Sequence, residues 1–307
     1  MSPTPLFASI DDVQTRLAGA GYVADRGLAT SIYLAVTLRR PVFLEGEAGV
    51  GKTSVAAAIA AALGVELIRL QCYEGLDISH AVYEWDYARQ LLELRILEAV
   101  DTVDRVSARR ELFSDRYLLK RPLLRALEGE VGRPPVLLID EVDRADEEFE
   151  GYLLELLSEY RITIPELGTI EAIEPPVVVL TSNRTREVHD ALKRRCLYQW
   201  IEYPAFDKEL AIVRQKVPAA PGELSHQVTA VVQELRTAEL YKAPGISETL
   251  DWVAALVALD KTALDPSTIE ETLGVVLKAR EDIEAMKGER LQGILARAML
   301  QGVRRSG

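Results

Sequence analysis

Eight consecutive residues, Gly46-Glu47-Ala48-Gly49-Val50-Gly51-Lys52-Thr53, follow the spacing G-x-x-x-x-G-K-[ST]. Glycines at such spacing let backbone N–H groups turn inward around phosphate oxygens, and a following helix adds the positive end of its dipole. Lys52 then reaches the β and γ phosphates of a nucleoside triphosphate, the Thr53 hydroxyl ligates Mg²⁺, and Ser54 completes the segment. The competing reading is a glycine-rich turn before a surface helix. An apolar run, Val42-Phe43-Leu44, precedes the loop and an alanine-rich helix follows it, which is the order the phosphate chemistry needs.

A second group follows. Val136-Leu137-Leu138-Ile139 ends in Asp140 and Glu141, so two carboxylates stand at the end of a continuous apolar run. In an open α/β sheet ligands bind at the carboxyl ends of strands. Asp140 there holds Mg²⁺ and Glu141 polarises the water that attacks the γ phosphate. Taken alone, the pair also suits the solvated start of the acidic stretch 141–150.

A third apolar run, 177–180, ends in Thr181-Ser182-Asn183, and the Asn183 amide is suited to bind the γ phosphate or the water. Asp190-Ala191-Leu192-Lys193-Arg194-Arg195 reads as a short helix. Its guanidinium groups are either an arginine finger for a neighbouring subunit's γ phosphate or a basic end favoured by the helix dipole.

These groups need a scaffold, and the rest of the pattern supplies one. Helices are expected at 10–17 and 27–38, with a strand at 66–72. Residues 73–130 read as a mainly helical insertion, with Leu91, Leu92, Ile96, Leu97 and Val100 on one helix face. Phe149, Tyr152, Leu153, Leu156, Leu157 and Tyr160 are spaced for a helix capped by Asp146, and residues 161–173 read as a β-hairpin. A strand at 198–201 closes the first part. Strands alternating with helices predict a doubly wound parallel sheet. Beyond Pro204 only helical patterns remain, at 206–217, 222–240, 247–259, 266–279 and 289–301. The predicted fold is therefore α/β, an αβα core over residues 1–203 followed by a smaller all-helical domain over 204–307.

Composition narrows the function. With 48% hydrophobic and 27% charged residues the 307-residue chain falls among ordinary globular proteins. A formal charge of −12 disfavours a nucleic-acid partner. No apolar stretch is long enough to span a bilayer, and residues 1–10 lack a secretory signal, so cytoplasmic residence is expected. Cys72 and Cys196 read as free thiols with no zinc site near them. His80, His189 and His226 are isolated, and no Ser–His–Asp order suggests a triad.

Taken together, the phosphate loop, Asp140-Glu141, Asn183 after the hairpin, and residues 191–195 resemble the MoxR family of AAA+ ATPases over nearly the whole chain. The segment Gln71-Cys72-Tyr73-Glu74-Gly75-Leu76-Asp77, with Tyr83-Glu84-Trp85 and Arg89-Gln90-Leu91-Leu92, is similar to the CoxD branch, whose ATPase matures carbon monoxide dehydrogenase. The resemblance implies an AAA+ core with a helical lid, ATP and Mg²⁺ as ligands, and a homo-oligomeric ring of the hexamer type. It also implies an arginine finger in trans, with Arg195 the better match and Arg194 beside it. Partners implied are a von Willebrand factor A domain protein and a client metalloenzyme, contacted through residues 161–173 and 73–130. One residue departs from the family: Gly245-Ile246-Ser247-Glu248-Thr249 puts Thr249 where the lid helix commonly carries the sensor 2 arginine.

Two functions thus compete, an ATP-driven chaperone-like machine and a nucleotide-gated binding switch that hydrolyses little. Glu141 and Asn183 favour the first, Thr249 the second. A small-molecule kinase fits less well, because no acceptor pocket is evident.

Overall fold

Every apolar run singled out above becomes a strand. The computed structural model describes residues 5–99 and 110–305, and its strands are β1 (Val42–Gly46), β2 (Leu67–Gln71), β3 (Tyr83–Trp85), β4 (Leu118–Lys120), β5 (Val136–Asp140), β6 (Arg161–Ile164), β7 (Gly168–Glu171), β8 (Val177–Ser182) and β9 (Leu197–Ile201). Among the described residues one sheet has five strands in the order β2-β5-β8-β1-β9. The β2–β5, β5–β8 and β8–β1 pairs are parallel. β1, β5 and β8 are buried along their whole length, which is why they read as unbroken apolar runs rather than alternating ones. The sheet is of the doubly wound α/β kind that the alternation of strands and helices predicts.

The chain divides into two compact units. The first comprises Met1–Arg16, Asp25–Glu45 and Ala56–Gln199 and holds most of the sheet. Its core joins Phe43, Ile68, Leu137, Ile139, Val178 and Leu180. Asp146 caps the helix Glu147–Glu159, its carboxylate accepting the Phe149 N–H at 2.9 Å, and Tyr160 ends that helix in the left-handed region. β6 and β7 form the expected hairpin, turning at Gly168 with φ +91°.

The 73–130 segment differs from its helical expectation. Besides the helices Ile78–Ala81, Tyr87–Ala99 and Pro122–Leu127, it contains β3 and β4, an antiparallel pair that sets Trp85 opposite Leu118. Trp85 packs edge-on against Phe113 at 5.2 Å. On the helix Tyr87–Ala99 the predicted apolar face is not a buried face. Leu91, Leu92 and Ile96 are exposed, whereas Gln90 is buried and its amide donates to the Leu112 carbonyl at 2.6 Å. Val100 and the Leu97 side chain lie outside the described residues.

The second unit comprises Leu17–Ala24, Gly46–Val55 and Trp200–Gly307. Its helices are Phe206–Lys216, Gly222–Arg236, Ile246–Ala258, Pro266–Val276, Arg280–Ala285 and Glu289–Arg305. The helix from Gly222 stops short of Leu240, its final carbonyls taken by the Thr237 N–H and hydroxyl. Asp265 caps Pro266–Val276 as expected, accepting the Thr268 N–H at 2.9 Å. Trp252 lies at the centre of this unit's core, fully buried, with its indole N–H donating to Thr272 Oγ1 at 2.8 Å.

Candidate functional site

In the second unit the phosphate loop is shaped by what its glycines lack. Gly49 and Gly51 have φ of +77° and +91°, a region that side chains resist. A Cβ on Gly46 would come within 2.2 Å of the Ile201 carbonyl oxygen, and one on Gly49 within 3.0 Å of the Gly245 Cα. The loop is also tied to the start of the helix Ile246–Ala258: the Ile246 N–H donates to the Gly49 carbonyl at 2.8 Å. Glu248 accepts the Gly245 N–H at 2.9 Å, the return half of a capping box.

Lys52 opens the helix Lys52–Leu63 and is only 6% exposed. Its ammonium donates to the carbonyls of Gly46 at 2.8 Å and Glu47 at 2.6 Å, so the cation is already aimed back along the loop. A positively charged side chain, two loop glycines in the left-handed region and a helix N-terminus together fit a polyphosphate. The hydroxyl of Thr53 in this unit and, separately, the carboxylate of Asp140 in the first are hard oxygen donors of the kind Mg²⁺ takes. A cavity of about 420 Å³ adjoins the loop, lined by Glu47, Gly49, Tyr203, Lys242, Gly245 and Glu248 among others, within the size range of small-molecule sites.

Behind this cavity wall lies a buried ion pair absent from the sequence-based expectations. Glu209 is 0% exposed, and its oxygens accept from Arg236 at 2.6 and 2.7 Å and from Gln233 at 2.7 Å. Arg236 also donates to the Pro244 carbonyl at 2.7 Å and lies over the Tyr203 ring, 4.6 Å from its centre. Thr249 belongs to this network. It is fully buried and its hydroxyl donates to Glu209 at 2.7 Å, so Thr249 is part of the packing of the helical unit.

In the first unit the acidic strand end is held by side chains. Asp140 is buried; its Oδ1 accepts the Thr181 hydroxyl at 2.6 Å, and its Oδ2 accepts Arg69 Nε at 3.0 Å and Nη2 at 2.5 Å. The same Thr181 oxygen accepts the Glu141 N–H at 2.9 Å. Glu141 itself has φ 55° and ψ 52°, the left-handed region. Its carboxylate accepts from Gln71 Nε2 at 3.0 Å, Arg144 at 3.0 Å and Asn183 Nδ2 at 3.1 Å. Asp140, Glu141 and Asn183 are thus brought together, Asn183 through the Glu141 carboxylate and Asp140 through Thr181.

Asp143 anchors the segment that carries Asn183. Its Oδ2 accepts the Asn183 N–H at 3.2 Å, the Thr185 N–H at 2.8 Å and the Thr185 hydroxyl at 2.7 Å, while Oδ1 is buried without a hydrogen-bond partner among the described residues. Cys72, whose N–H donates to the Asp140 carbonyl, is buried; burial first, and the nearby carboxylates second, push its thiol up to about 12. Burial therefore keeps it a neutral thiol.

The two candidate finger residues differ. Arg195 donates to the Leu154 carbonyl and the Ser158 hydroxyl of its own chain. Arg194 is 82% exposed, with Asp190 at 3.9 Å. The carbonyls at this helix end are taken by Arg40, at 2.8 Å to Arg194 and 3.1 Å to Arg195. Arg69, Gln71, Thr181 and Asp143 were not foreseen from sequence. For Arg69 and Gln71 the available signal was their alternation on β2 beside the Asp140 strand; for Thr181, the polar turn of an otherwise apolar run.

Residues 41–196 match the family model of the AAA domain, dynein-related subfamily. No curated protein sequence matches significantly. Among solved structures, a point mutant of RuvB from Thermotoga maritima is 16% identical with a TM-score of 0.48, covering 92% of this chain and 76% of its own. A protein of Cytophaga hutchinsonii, provisionally described as an ATPase, is 14% identical with a TM-score of 0.47, covering 94% and 93%.

Proposed function

The chain belongs to the AAA domain family, in its dynein-related subfamily, and from that premise we propose that it is a Mg²⁺-dependent ATP hydrolase acting as a chaperone-like remodelling machine. The observation that carries this reading is the strand-end pair: Asp140 and Glu141 at the close of a buried strand, with the Asn183 amide 3.1 Å from the Glu141 carboxylate. A strand end that only bound nucleotide would need the first carboxylate and not the second.

In this reading the backbone of Gly46 to Gly51 cradles the phosphates, with Ser54 closing the segment, and Lys52 neutralises β and γ oxygens. Thr53 and Asp140 hold the Mg²⁺, which supplies charge neutralisation when bound. Glu141 accepts a proton from the attacking water, and Asn183 orients both. An arginine reaches a neighbouring subunit's nucleotide in a ring, proposed to be hexameric. The exposure of Arg194, against the self-satisfied Arg195, supports Arg194 as the one presented in trans. Residues 1–203 serve as the nucleotide-binding core and 204–307 as the lid.

The finer assignment rests on the motifs that resemble the MoxR family and its CoxD branch. It makes the client a metalloenzyme, such as a molybdenum hydroxylase, prepared for metal or cofactor insertion with a von Willebrand factor A domain partner. A second reading, a nucleotide-gated switch with little turnover, is favoured by one feature: three donors already occupy the Glu141 carboxylate, and Thr249 offers no cation.

Phosphate release by wild type and Glu141→Gln, with binding of a fluorescent ATP analogue measured in parallel, tests this. The variant is expected to lose about 10²- to 10⁴-fold in turnover while still binding. Equal, slow release by both proteins with binding intact leaves the switch and removes the machine.

A further inference from the structure

Asp140 takes its counter-charge from its own chain. In the β2–β5 register Arg69 is opposite Leu138 and Gln71 opposite Asp140, so alternate residues of the two strands share one face of the sheet. The Arg69 guanidinium reaches forward along that face to Asp140 Oδ2, at 2.5 and 3.0 Å. The two partners differ in their access to water: the Asp140 side chain is 3% exposed, the Arg69 side chain 53%. A buried carboxylate requires a cation beside it, whereas an exposed arginine can return to solvent at small cost. On the reading of Asp140 as the Mg²⁺ ligand, that carboxylate edge is also where a divalent cation, or the water it polarises, must come. A guanidinium and a metal cannot occupy it together.

We propose that Arg69 is a positioning residue that competes with the divalent cation for Asp140, and so sets the Mg²⁺ concentration at which nucleotide is held. The inference rests on the ATPase reading above. The same guanidinium donates to Gln71 Oε1 at 2.6 Å, which turns the other end of that amide, Nε2, toward Glu141 at 3.0 Å. Departure of Arg69 therefore also releases the amide that holds Glu141. Displacement of Arg69 from Asp140 would thus weaken the hold on Glu141 as well.

The test is a Mg²⁺ titration of fluorescent N-methylanthraniloyl-ATP binding to the full chain, for wild type, Arg69→Gln and Arg69→Lys. Removing a pair of hydrogen bonds to a charged group is expected to lower the half-saturating Mg²⁺ about tenfold in Arg69→Gln. Arg69→Lys, which keeps the charge, stays within about twofold of wild type. At saturating Mg²⁺ all three bind the analogue alike, an equality that a merely structural defect would not leave. An unchanged or raised Mg²⁺ midpoint in Arg69→Gln overturns the proposal, as does a lysine variant that follows the glutamine one. Loss of analogue binding at saturating Mg²⁺ in Arg69→Gln also overturns it, by making Arg69 a phosphate ligand. Wild type failing to bind at any Mg²⁺ concentration removes the ATPase reading itself.

Discussion

At the phosphate loop the main chain carries the shape and side chains are mostly kept out; at the acidic strand end, past the left-handed turn at Glu141, side chains do the fixing. The loop tolerates no Cβ at Gly46, where the obstacle is a carbonyl oxygen 2.2 Å away. The strand end is instead a hydrogen-bonded relay from Arg69 through Gln71 to Glu141 and on to Asn183. A main-chain cradle offers a single geometry. A side-chain relay has donors that can be exchanged, which suits the rearrangement of charge and water that the proposed hydrolysis would need.

Three substitutions bear on that contrast. The largest effect is expected from Gly46→Ala, whose methyl group meets backbone rather than a side chain that can move. About 3 kcal/mol of stability, read by urea denaturation, and most nucleotide binding should be lost. Wild-type binding by this variant would break the contrast, because the loop would then not be specified by its missing side chains. Next is Thr181→Val, nearly the same shape but without the hydroxyl that joins Asp140 to the Glu141 N–H. A cost of about 2 kcal/mol is expected from the unpaired buried groups, together with slower phosphate release and little change in analogue binding. The smallest is Glu248→Ala, which removes half of a capping box beside the loop and should cost about 0.5–1 kcal/mol in thermal unfolding.

The sequence was most readable where one physical requirement acts on neighbouring residues. The loop spacing, the buried strands ending in Asp140-Glu141 and in Thr181-Ser182-Asn183, and the Asp146 and Asp265 caps are local patterns. Pairing between distant short segments was not readable: β3 and β4 have three residues each, too few to alternate, and their partnership depends on a chain reversal between them. The helix Tyr87–Ala99 shows a different limit. Its apolar spacing is real, but spacing does not state whether anything covers the face, and here Leu91, Leu92 and Ile96 meet solvent. Arg69 and Thr249 were opaque for a third reason. A lone polar residue on a strand or helix reads the same whether it faces water or a buried carboxylate, and only the fold supplied Asp140 and Glu209 as their partners.

Glu141 stands at φ 55°, in backbone territory that glycine enters freely and a residue with a side chain enters at a cost of about 1–2 kcal/mol. Folding alone would choose glycine at this point, as it does at Gly49 and Gly51, yet the chain keeps a carboxylate. Any programme that selects variants for heat resistance will therefore be drawn to residue 141, and its sturdiest products are expected to lack the carboxylate on which the proposed hydrolysis rests.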